Sequence, residues 1–158
     1  MGDLFSFGYA GLRGADDLRH LLAGTGVETI VDVRLQPFGR VPFNGPAASR
    51  LLIESVGPAY RWDKRLGNLA YRTGGIEIKD IEAIEDVLDD LRAGRSVALM
   101  CVCANVAECH RRVLAEEAVR REPGLRVIHL AVRRVAFLAP DASDDQIEAF
   151  VDALTDCS

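Results

Sequence analysis

The chain lacks the features that would assign it to most functional classes. No apolar run approaches the roughly 18 residues that a membrane span requires. There is no G-x-x-x-x-G-K, and Gly8-Tyr9-Ala10-Gly11 does not have dinucleotide-fingerprint spacing, so neither ATP nor NAD is supported by motif. Basic residues are in deficit: the net charge of −5 argues against a general nucleic-acid binder. Aromatics make up only 6% of the chain, with one tryptophan, so an extended base-stacking surface is not indicated. No repeat, linker or low-complexity tract divides the 158 residues, which read as one domain over 1–158. Met1 to Ser6 has neither the basic region nor the apolar stretch of a secretory signal. Together with 4 cysteines, that leads us to expect a reducing, cytoplasmic setting.

What is present alternates between strand and helix. Strand patterns occur at Leu4 to Tyr9, Thr29 to Arg34, Ala59 to Trp62, Val97 to Val102 and Arg126 to Val132. Arg133 to Leu138 reads as a continuation of the last strand or an added edge strand. Helical spacing covers Asp16 to Ala23, Ala47 to Val56 and Ile78 to Leu91. Asn105 with Glu108 is a capping box that predicts a helix from Val106, and Ser143 to Gln146 is another that opens a last helix through Leu154. Leu35 to Pro46, with its prolines and glycines, is a loop, and Lys64 to Gly75 is an irregular basic segment. The expected fold is therefore single-domain α/β. A mostly parallel sheet of about five strands carries helices on both faces, in a Rossmann-like three-layer arrangement.

Ligands in such folds sit outside the carboxyl ends of the strands. That edge would gather Gly8 to Gly11, Asp32 with Arg34, the chain after Trp62, and Cys101 to Arg112. Asp32 and Arg34 share a strand face, and an apolar strand makes an unpaired carboxylate costly, so they either pair structurally or serve a substrate. Arg111 and Arg112 stand in the opening turns of a helix, where acids are preferred. A bound anion is one reason for bases there. Arg112 has Glu116 four residues on, whereas Arg111 has Ala115, so Arg111 is the better anion ligand.

Cys109, near a helix N-terminus and beside cations, is the cysteine best placed to react. His110 follows it on a largely apolar face, where a lone histidine is more often a packed residue hydrogen-bonded to backbone than a catalyst. Cys101 and Cys103 share a face at the end of their strand. Cys-x-Cys-x5-Cys-His has ligand atoms enough for zinc, but it matches no finger or ribbon spacing, so no metal ligand set is assigned. Each of these cysteines also reads as a buried core thiol. Charge is uneven: Arg34 to Arg72 holds seven bases against two acids, and Glu77 to Asp90 holds seven acids against Lys79. Loop residues Phe38, Arg40 and Phe43 could stack a base and hold a phosphate, or pin a lid.

In their order along the chain, Gly8-Tyr9, Val31-Asp32-Val33-Arg34, Pro37 and Arg40, Phe43, Leu66-Gly67, Leu99-Met100-Cys101 and Cys109-His110-Arg111 resemble the uncharacterised DUF488 family of bacteria and archaea. The resemblance covers about residues 4 to 130. It implies an α/β domain with these polar residues around a cleft and no assigned activity. The chain departs from that pattern at Cys103, where the family carries an acid, at Gly39 in place of serine, and at Asn68 in place of glycine. Loss of the acid implies altered chemistry or a binding-only member.

These observations set three expectations. The first is an enzyme or enzyme-derived domain for a phosphate-bearing or nucleotide-like small anion. Asp32, Cys109 and His110 would be its catalytic candidates, and Tyr9, Arg34, Arg40 and Arg111 its ligand contacts. The second is a non-catalytic module binding nucleic acid or a partner protein through the basic tract. The third is a cysteine redox or zinc site.

Overall fold

The structure is a computed structural model, and it describes residues 1–39, 41–132 and 143–145. Five strands, β1 (Leu4–Gly8), β2 (Val27–Asp32), β3 (Ala59–Trp62), β4 (Ser96–Cys101) and β5 (Val127–Leu130), form one sheet. All pairings are parallel, in the order β3-β2-β4-β1-β5. The helices are α1 (Ala15–Leu22), α2 (Pro46–Val56), α3 (Ile84–Arg92) and α4 (His110–Arg121). After β1 the chain skips a place to lay β2 and β3, returns to fill the gap with β4, and ends beyond β1. The centre of the sheet is thus a late strand, and from Val97 to Cys101 it is wholly buried, as its near-continuous apolar sequence requires.

Period-two alternation sorts the strand side chains between two cores. Phe5, Phe7, Ile30, Ala98 and Met100 meet Leu18 and Leu22 of α1 and Ile53 of α2 on one face. Leu4, Val31, Val97, Leu99 and Cys101 meet α3 and α4 on the other. In α3 the apolar stripe Ile84, Val87, Leu88 and Leu91 is fully buried, each side chain contributing roughly 1.5–3 kcal/mol by leaving water. The expected α/β fold with helices on both faces is what the chain forms.

Two helix starts differ from expectation, and both shifts are local capping effects. Asp80 caps a 3-10 turn, Ile81–Ala83, so α3 begins later than Ile78. Asn105 likewise caps only a 3-10 turn, Val106–Glu108, by accepting from the Ala107 N–H at 3.0 Å. Cys109 is then extended, and α4 opens at His110 with Cys109 as its N-cap. The expected strand or extension at Arg133 to Leu138 lies outside the described residues, as does most of the final helix; Asp144 and Asp145 are helical.

Candidate functional site

At the carboxyl edge Gly8 of β1 stands in register with Cys101 of β4, and Asp32 of β2 with Met100 beside it. The candidate residues at this edge do not make one constellation. They divide into two, one on each face of the sheet.

On the α1/α2 face, Asp32 is completely buried and Arg34 nearly so. The guanidinium grips the carboxylate through Nε at 2.8 Å and Nη2 at 2.6 Å. Its remaining donors go to the Tyr9 hydroxyl (2.9 Å), the Phe43 carbonyl (2.7 Å) and the Ser49 hydroxyl (3.2 Å). All five guanidinium N–H groups therefore have partners. Asp32 also accepts from the Arg34 backbone N–H and from the Tyr60 hydroxyl at 2.8 Å. Burial, joined by the Asp32 charge, pushes the Tyr60 phenol well above its ordinary range, so it remains a donor. Burial likewise raises Tyr9, against the pull of Arg34. Tyr9 packs its ring on Phe43 at 4.8 Å, and Trp62 Nε1 donates to the Arg34 carbonyl. The sequence pointed to Asp32, Arg34 and Tyr9; Tyr60, Ser49 and the Phe43 carbonyl join them from distant elements and carried no local signal.

On the α3/α4 face, the Sγ atoms of Cys101, Cys103 and Cys109 all lie within 4.8 Å of one another. Cys101 and Cys109 are buried and Cys103 is exposed. His110 donates from Nε2 to the Val33 carbonyl at 2.9 Å, since a carbonyl only accepts. Its Nδ1 faces Cys101 Sγ at 3.9 Å and Cys109 Sγ at 3.8 Å. Arg111, 1% exposed, directs Nε to Cys109 Sγ (3.3 Å) and Nη2 to the Cys103 carbonyl (2.7 Å). Its Nη1 reaches Ser6 Oγ at 3.5 Å, and Ser6 Oγ is bonded to His129 Nδ1 at 2.7 Å. Among the described residues Arg111 forms no ion pair with a carboxylate.

The Cys103 carbonyl is also seated against Gly8, where a Cβ would lie 1.7 Å from its oxygen. That close approach brings the turn after β4 back over the sheet, and the missing side chain of Gly8 supplies the space for it. Within the cluster, bonds from the Cys101 and Cys103 thiols lower the Cys109 thiol strongly, overcoming burial, with help from the His110 ring and then from the Arg111 backbone N–H. Cys103 is raised by its bonds to the other two thiols and by burial. The bond to Cys103 pulls Cys101 down, but its bond to Cys109, burial and the Cys109 charge outweigh that, so it too is raised. These contacts favour ionisation at Cys109 over the other two thiols, beside the guanidinium and at the positive end of α4.

Arg40 lies outside the described residues. Arg112 pairs with Glu116 at 2.7 Å, as its spacing predicts. In the basic tract Arg50 pairs with Glu54, Arg65 with Asp63 and Asp86, and Arg61 with Asp90 through Nη1, while its Nε and Nη2 are buried with no hydrogen-bond partner among the described residues. Among the described residues no helix is long and apolar enough to cross a membrane. No family model, curated protein or solved structure matches the chain.

Proposed function

We propose that this protein works through the three thiols at its strand carboxyl edge, where it takes a soft, sulfur-seeking ligand. The observation that carries this reading is the convergence of three cysteine sulfurs within 4.8 Å, drawn from a strand end, a turn and a helix cap. Thiolate sulfur selects polarisable cations and electrophiles over hard oxyanions. A phosphate-bearing or nucleotide-like ligand would need free donors. Arg34 has every N–H engaged within the fold, and Arg111 is buried with its donors on Cys109, Ser6 and the Cys103 carbonyl. A nucleic-acid or partner-protein module using the basic tract is weakened in the same way by the ion pairs to α3 and its approach. Free thiols persist in reducing surroundings, which keeps a cytoplasmic setting as part of this reading. Kinship with DUF488 rests on the sequence motifs and supplies no activity to carry over.

The test sets a sulfur-seeking probe against an anion panel on the reduced, full-length protein. One equivalent of arsenite, whose As(III) takes three thiolate sulfurs and releases its three hydroxyls as water, should shield all three cysteines from alkylation, read peptide by peptide in mass spectra. Inorganic phosphate and nucleotides should leave the melting temperature unchanged. Three cysteines that alkylate independently, with phosphate or a nucleotide raising the melting temperature by several degrees, would overturn the proposal. A true ligand at about a hundred times its Kd adds roughly 2.7 kcal/mol.

A further inference from the structure

We infer that Cys101, Cys103, Cys109 and the Nδ1 of His110 form a four-ligand zinc site. This deepens the thiol reading and rests on it, adding the ligand's identity, its fourth donor and a role for Arg111.

Five of the six donor separations approach what a tetrahedral ion requires. With Zn–S near 2.3 Å and Zn–N near 2.1 Å, ideal edges are about 3.8 Å between sulfurs and about 3.6 Å between sulfur and nitrogen. His110 Nδ1 lies at 3.9 and 3.8 Å from two of the sulfurs. The sulfurs, within 4.8 Å of one another, need contract by at most about 1 Å to meet that geometry. Three sulfurs mutually this close do not span an iron–sulfur cluster, in which at most two cysteines share an iron atom.

The imidazole is prepared for the task. Donating Nε2–H to the Val33 carbonyl fixes the ring and leaves the Nδ1 lone pair turned to the sulfurs, which is the support that metal-bound histidines generally have. The charge also closes. Three thiolates around a divalent cation leave one negative charge, and the buried Arg111 guanidinium, with no carboxylate partner among the described residues, carries one positive charge against Cys109 Sγ. Cys103, exposed where the other two thiols are buried, supplies the route by which the ion reaches the interior.

Cobalt(II), added to the reduced full-length protein, should bind at one equivalent with the visible absorption of a tetrahedral ion and a near-ultraviolet sulfur-to-metal band. Zinc should displace it one for one. Cys103→Ser, at an exposed position where folding is not at stake, should remove about one third of the sulfur band and weaken binding at least about tenfold. In long-range 1H–15N spectra, zinc should move the Nδ1 resonance of His110 while its Nε2 stays protonated, with His20 and His129 unaffected. A six-coordinate cobalt spectrum, no cobalt binding, or an unmoved His110 Nδ1 overturns the inference. The arsenite measurement separates the two failures. Shielding of all three thiols without zinc binding removes the zinc site and leaves the thiol reading; no shielding removes both.

Discussion

Two buried constellations face each other across one sheet, both at strand carboxyl ends, and they differ in how their hydrogen-bonding capacity is spent. Around Asp32 and Arg34, opposite charges meet and every guanidinium donor ends on a fixed acceptor. Around Cys109, like groups meet: three thiols crowd together, an imidazole turns its Nδ1 towards two of them, and a guanidinium has only sulfur to balance its charge. The first is closed and ties β2 to α2, β3 and the loop at Phe43. The second gathers several groups of the kind that bind a cation, joined to one another only by contacts to sulfur. In a buried site, full internal satisfaction marks architecture, and convergent donors left facing one another mark a place for a ligand.

The largest effect expected from this contrast comes from breaking the closed network. Asp32→Ala leaves the Arg34 charge buried and unpaired and removes the acceptor of the Tyr60 hydroxyl. Breaking a buried pair from one side costs about 3–5 kcal/mol, a large part of the stability of a domain this size. Urea denaturation should show that loss with unchanged metal stoichiometry in whatever fraction folds. A loss below about 1 kcal/mol would mean that Arg34 is free to turn to solvent, and would return it to the list of ligand contacts.

A smaller effect should arise where the thiol cluster meets the sheet. Gly8→Ala places a methyl group against the Cys103 carbonyl oxygen, and backbone cannot yield as a flexible side chain would. Overpacking of this kind costs about 1–3 kcal/mol. The useful readout is position as well as stability: displacing the turn should separate Cys103 from Cys101 and Cys109 and raise its alkylation rate above that of the wild type. If the melting temperature falls but Cys103 reactivity is unchanged, Gly8 supports the fold and not the cluster.

The parts of this arrangement legible in the sequence are those set by short-range pattern. Alternation and apolar runs identify the strands and place Asp32 and Arg34 on one face. The shape of the thiol cluster depends on events of longer range. The capping box at Asn105 is real, yet it closes a single 3-10 turn, and the helix restarts one residue after Cys109. That break moves the cysteine from inside a helix to its cap, within reach of Cys101 and Cys103. The division between faces was hidden for a different reason: all the candidates do lie at one edge, but sidedness follows from strand parity combined with the order β3-β2-β4-β1-β5, which no local motif contains. Arg111 was read as free because it lacks a partner four residues on; its partners come instead from Ser6, Cys103 and Cys109.

The smallest effect concerns the outer flank of the cluster and comes from pH. Burial, then the nearby Arg111 charge, holds the His129 imidazole below its ordinary value, while Ser6 Oγ bonds its Nδ1 at 2.7 Å. The folded state therefore binds this proton less readily than the unfolded chain, whose histidine titrates near about 6.5. Between the depressed value and about 6.5 the unfolded state holds more protons, so stability rises with pH across that window and is lost as pH falls through it. His129→Asn removes the titrating ring and can keep an acceptor for Ser6. Measured by urea denaturation, the stability difference between wild type and variant should be flat above about pH 7 and should turn against the wild type below about 6.5. A difference constant from pH 5 to 8 would mean that neither burial nor the Arg111 charge disfavours the His129 proton in the folded state, and the Ser6 bridge would then be packing alone.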